Sequence, residues 1–258
     1  MQPTHFSLTA GLAIALALGM PKPATAQITR EETDWLPQSF QTIRVPIRGT
    51  STTFTRGRSD QGNPGRALIY DASVRAEAES TNASAAIVIA SELFHDAALD
   101  GEMHTLSFSQ SLFVETTDAV SALAIARFLI SQVVDGESVI FAHEVAVAPV
   151  FGRWQTISAF DLREDDFARF DFATGDLVAD ARPDFGRDFS KFGIGLGARV
   201  TNDTDRAVRE RLEMRVDNLS VTISPVPEPA TAGMLLTGLL LIVASARARV
   251  PRRMQGVG

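Results

Sequence analysis

Between Thr105 and Val145 the chain repeats every second residue. Leu106, Phe108, Leu112 and Val114 share one parity, and Ser107, Ser109, Ser111 and Glu115 share the other. A stretch patterned this way buries one face and wets the other only as a β-strand. Leu123, Ile125 and Leu129 then alternate with alanine and Phe128, as a strand covered on both faces would, although the stretch Ser121 to Val134 also suits a helix. Asp135-Gly136 supplies the preferred two-residue hairpin turn into Val139, Phe141 and Val145. The period therefore predicts core strands joined by a tight turn, and whatever else the chain does must pack against them.

The flanking sequence extends the pattern. Ile43, Val45 and Ile47 alternate around Pro46, which suits an edge strand because proline cannot donate to a ladder. Residues 56–65 are dense in glycine, serine, asparagine and proline and read as a loop, with a strand leaving it at Ala67 to Asp71. Ser73 to Ser84 fits helix or strand: Ala76, Glu77, Ala78 and Glu79 are good helix formers, but Thr81, Asn82 and Ser84 end a helix quickly. Trp154 to Phe160 is expected as a strand with Trp154, Thr156 and Ser158 on one face. The polar segment from Asp161 to Asp188 is expected to be a loop pinned by its phenylalanines. In the next strand Phe192, Ile194, Leu196, Ala198 and Val200 alternate with Gly193, Gly195 and Gly197, leaving one face open to a ring or another backbone. The last strand runs from Leu212 to Ile223. Several short strands without βαβ spacing predict an all-β fold, an antiparallel β-sandwich with the jelly roll as its expected form.

The two ends read differently. Leu8 to Leu18 is an apolar run of signal-peptide length, and Ala24-Thr25-Ala26 fits a small-x-small cleavage site. Residues 1–26 are thus expected to be a signal peptide, although no Lys or Arg precedes the run, and the domain to occupy 27–224. Residues 225–258 place Pro227-Glu228-Pro229 before an uncharged apolar run, 230–246, and then Arg247, Arg249, Arg252 and Arg253. As a helix the run is about 25 Å long, the short end of what crosses a bilayer core, and the arginines hold to the cytoplasmic side. This order resembles the PEP-CTERM sorting signal of exported Gram-negative bacterial proteins. The resemblance implies export through the inner membrane, processing by the membrane protease exosortase, and a destination in the envelope, at the cell surface or outside it, often with exopolysaccharide. The other reading of the same residues is an ordinary C-terminal membrane anchor.

The chain has no cysteine, which removes disulfide frameworks and thiolate metal sites. A net charge of −7 with scattered arginines argues against nucleic acid as a partner. The turn Gln61-Gly62-Asn63-Pro64-Gly65 and the closing Val216-Asp217-Asn218-Leu219-Ser220-Val221 are similar to segments of laminin-type and concanavalin A-like sandwiches. That resemblance implies a structural calcium, to which Asp217 would contribute with Asp60 or Asn63. No other cofactor is expected. Asp217 shares the parity of Leu219, Val221 and Ile223 and so is expected on the core side, where its carboxylate needs a partner. Backbone N–H groups or an arginine would serve as well as a metal.

Catalytic patterns are thin. Glu164-Asp165-Asp166 is acidic, but glycoside hydrolysis needs carboxyl groups facing across a cleft, and neighbours on one turn do not provide that. His143-Glu144 lacks the second histidine of a zinc protease, and no spacing ties His95 to His104. The expectation is a protein that is not an enzyme: an exported structural or adhesive sandwich. The alternative is a lectin-like module for exopolysaccharide, for which Trp154 is the candidate sugar platform unless it belongs to the core; a glycan-cleaving enzyme is the further alternative.

Overall fold

The computed structural model describes residues 27–226, apart from 37, 46, 48, 57–60, 64, 117–121 and 148–150. Ala24 and Ala26, the motif Pro227 to Pro229, the run 230–246, its following arginines and Asp60 lie outside the described residues. Among the described residues no helix is long and apolar enough to cross a membrane.

Two antiparallel sheets make the sandwich predicted from the alternation. One contains β1 (Ile28–Glu32), β3 (Thr50–Arg56), β4 (Leu68–Ala76), β6 (Met103–Thr116), β9 (Trp154–Leu162) and β13 (Val208–Pro225). Its order is β3-β4-β13-β6-β9, with β1 pairing the last part of β13. The other contains β2 (Phe40–Arg44), β5 (Ser80–Asp96), β7 (Ala122–Val134), β8 (Glu137–Ala146), β10 (Ala168–Phe170), β11 (Leu177–Val178) and β12 (Phe189–Asn202). Its order is β11-β10-β8-β7-β12-β5-β2, so β2 is an edge strand, but it ends at Arg44, earlier than the strand expected around Pro46, which lies outside the described residues.

The buried parity of β6 meets that of β7 and β12 between the sheets. Phe108 stacks on Phe128 with centroids 4.9 Å apart and meets Phe192 edge-on at 5.9 Å. Residues 124–130 are buried on both faces of a strand, which decides between the two forms that the stretch suited. One face is the inter-sheet core; the other belongs to a second apolar cluster that includes Val45, Ile87, Ile89, Leu129 and Phe170. Asp135 and Gly136 take φ of 52° and 85°, the left-handed pair of the expected hairpin turn.

Four features depart from expectation, each for a physical reason. In the segment that suited helix or strand, Ala76 ends β4 and residues 77–79 make the β4–β5 turn, with Glu79 at φ 50°, because long-range pairing of both flanking strands outweighs local propensity. The segment after Asp161 does pin Phe167, Phe170 and Phe185 inward, but it also adds β10 and β11 to the sheet edge. Two strands are far longer than expected: β5 runs 17 residues and β13 runs 18, their periods hidden by bulges and double-sided burial. Finally, Asp217 does not face the core. It pairs with Ser111 on the outward parity of β6, because a bulge at Asp217 and Asn218 (φ 52°) switches the parity of β13.

The lead-in to β2 also holds more order than its composition suggests. β1 carries Arg30 and Glu32 opposite the buried Val221 and Leu219, charges turned inward on an edge strand. Glu32 Oε1 accepts from the backbone N–H of Trp35 (2.7 Å) and of Asp34 (3.1 Å), holding the fully buried Trp35 at φ 45°. Arg30 donates to Asp100 Oδ2 at 2.9 Å and lies over the Phe94 ring. Fully buried His95 stands 3.6 Å from the same carboxylate, and burial holds its pKa below the usual histidine value against the pull of Asp100.

Candidate functional site

Residues opposite one another in a ladder share a face, so the register defines the outer surface of the β1-containing sheet. Its rows are hydroxyl-rich. Ser107 stands opposite Thr222, which stands opposite Thr29; Ser109 lies between Ser220 and Ser158; Ser111 lies opposite Thr156. The Thr29 and Thr222 hydroxyls are 3.1 Å apart.

The next row replaces hydroxyls with rings. Phe113 sits between Trp154 and Arg215. The Phe113 and Trp154 rings are 5.6 Å apart at 55°, and the Arg215 guanidinium lies 5.0 Å over Phe113. Arg215 Nη2 donates to Glu115 Oε2 (2.7 Å) and its Nε donates to Glu213 Oε1 (2.9 Å). This fixes the planar cation against the ring, an attraction that aromatic faces offer to guanidinium groups. Trp154 and Phe113 are half-buried, and Phe160, on the same face of β9, is 70% exposed. Six residues separate Trp154 from Phe160, about 20 Å along a strand. Rings at the two ends of a hydroxyl-lined strip provide stacking surfaces and hydrogen-bond donors and acceptors together, the pairing that a sugar ring with an apolar face and a hydroxyl rim requires.

Trp154 is therefore surface rather than core. Phe113, Phe160 and Arg215 were not singled out by the sequence reading. The signal for Phe113 was available: it is the one aromatic on the otherwise polar parity of β6.

The structure brings Asn63 to Asp217. The Asp217 carboxylate accepts the backbone N–H of Asn63 at Oδ2 and of Asn218 at Oδ1, while the Asn218 amide donates to the Asn63 carbonyl. The turn closes over the carboxylate so fully that a Cβ on Gly62 would stand 2.7 Å from Oδ2. Burial raises the Asp217 pKa above the usual carboxylate value, against the lowering pull of the two N–H bonds. The oxygens of this described part of the expected calcium set meet N–H donors, and among the described residues no group of three or more His, Asp or Glu is placed to hold a metal.

The acidic run Glu164–Asp166 forms a 3-10 turn. Glu164 Oε1 accepts from the Phe185 backbone N–H at 2.7 Å, and the Asp166 carbonyl pairs with His143 Nδ1 at 2.8 Å. Glu164 and Asp165 line an open depression of about 260 Å³ with His104, Arg163, Met103 and Phe185. The carboxylates there come from one turn. His104 is exposed while His95 is fully buried, so the two do not form a pair.

No family model matches the chain, and no curated protein does. Its likenesses are to solved structures. A carbohydrate-binding module of the β-sandwich superfamily is 11% identical with a TM-score of 0.36, over 74% of this chain and 60% of that one. The CBM22-1 xylan-binding domain of Paenibacillus barcinonensis Xyn10C is 10% identical with a TM-score of 0.32, over 79% of this chain and 97% of that one. A protein of unknown function from Shewanella oneidensis MR-1 is 10% identical with a TM-score of 0.36, over 89% of this chain and 99% of that one. At these identities the likeness concerns the fold alone.

Proposed function

We propose that the chain is an exported β-sandwich protein, of jelly-roll or concanavalin A-like form, whose hydroxyl-lined outer face binds glycan. The observation that carries this reading over a purely structural or adhesive role is the Phe113–Trp154 ledge. Two rings stand on the solvent side of a sheet whose core already has ample aromatic filling. Affinity gel electrophoresis of the full-length chain in mild detergent, across a panel of soluble polysaccharides, tests it. At least one polymer should retard the protein. Trp154→Ala should weaken that binding about tenfold, since a lost ring contact of about 1.4 kcal/mol corresponds to a factor of ten. Unchanged binding in this variant would move the site elsewhere, and no retardation by any polymer would leave the structural role.

Delivery is part of the same proposal and rests on sequence order alone. Residues 1–26 are removed after export, and the tail is cut near Pro227 to Pro229 by exosortase at the inner membrane, leaving the domain in the envelope, at the surface or in the exopolysaccharide matrix. Mass spectrometry of the protein recovered from its producer should find a start at Gln27 and an end short of residue 230. Recovery of the intact 258-residue chain alone would show that neither cut is made.

A further inference from the structure

The charges around the ledge define which glycans it accepts, provided that the glycan reading of this face holds. We infer that the face takes neutral polysaccharide and excludes polyanionic chains carrying uronate or sulfate. A site for a polyanion presents cations whose valences are free for the incoming oxygens. Here Arg215 is held on two sides by Glu115 and Glu213, and Arg211 is held by Asp71, which accepts from both its Nε and its Nη2. Between the ledge and Phe160 the strip offers hydroxyls, with Glu31 opposite Ser220 and Asp217 opposite Ser111 as its further charges, the second covered by the turn at Gly62 and Asn63.

Among the described residues cations do stand nearby, but none shares a hydroxyl row of the strip. Arg209 is the cross-strand partner of Arg75, and six residues of β13, about 20 Å, separate it from Arg215. Arg153 is exposed in the turn before β9. The surrounding field opposes anions as well. Residues 27–224 contain 19 Lys and Arg against 30 Asp and Glu, a net −11, and like charge slows and weakens association at low salt.

The test compares hydroxyethyl cellulose and neutral xylan with polygalacturonate, using the full-length chain in mild detergent at low ionic strength. The expected result is retardation by a neutral polymer with at least tenfold weaker binding of polygalacturonate. Equal or tighter binding of polygalacturonate, weakening as salt is added, would overturn the inference while leaving a glycan site in place. Binding of neither class would remove the glycan reading itself, and this inference with it. The double variant Glu115→Gln, Glu213→Gln releases Arg215 and removes two negative charges. It should raise polygalacturonate binding by about tenfold relative to the parent chain. No gain would show that the two carboxylates are not what bars anions.

Discussion

Replacing Gly193 with alanine lowers the thermal midpoint by roughly 6–12 °C, the shift expected for a loss of about 3 kcal/mol in a domain of this size. The site permits no easy relaxation. An added Cβ would collide with the Val88 carbonyl oxygen and stand 2.9 Å from the Ile89 Cα, both backbone atoms of the neighbouring strand. The register of β12 against β5 shifts between Lys191 and Gly193, so the close approach belongs to a bulge that only a residue without a side chain tolerates. Gly195→Ala is the control. Its Cβ would meet the Arg127 Cβ at 3.3 Å, which β7 must yield by a few tenths of an ångström, and the Leu129 Cδ2 at 3.5 Å, an ordinary van der Waals contact. It should cost about 1 kcal/mol, the low end of overpacking. Differential scanning calorimetry of the two variants checks this, and equal midpoints would mean that the bulge does not set the register.

Phe108→Ala produces the other large loss, about 3–5 kcal/mol in denaturant unfolding. That is a substantial part of the roughly 5–15 kcal/mol by which domains are stable. Phe108 is fully buried in β6, yet its ring contacts reach Phe128, Phe192 and, at 6.4 Å, Phe167. It therefore joins one sheet to two central strands of the other and to the segment after β9. Its removal opens a cavity whose walls belong to both sheets and cannot collapse together without moving one of them. Leu99→Ala, on a side chain 81% exposed, should stay within about 0.5 kcal/mol of the parent. A Phe108→Ala midpoint equally close to the parent would dismiss the view that this aromatic group ties the sheets together.

Much of the sandwich was legible because period two survives wherever a strand has one dry face. β6 carried it openly, and so did β12, whose glycines announced a face without side chains. The structure covers that face partly with the protein's own residues: the Arg127 side chain lies against Gly195 and beneath the Phe170 ring. The reading failed where parity is interrupted. Asp217 was assigned to the core by counting along β13, and counting cannot detect a residue added at Asn218. β1 was missed because its inward positions are Arg30 and Glu32, which look like solvent residues until Asp100 and the Trp35 backbone are found opposite them. The ledge was half legible. Trp154 was noticed for its type, but Phe113 and Phe160 acquire meaning only when the register sets them on one face.

The pairing of Ile28 with Ile223 carries a consequence for how the molecule is presented. First and last strands lie side by side in opposite directions, so the polypeptide enters and departs through the same doorway, near Met103 and Pro225. The Phe113 row is ten residues farther along β6, about 33 Å away. Both ends of the described chain therefore leave this sheet at one end of β6, and the ringed row stands at the other.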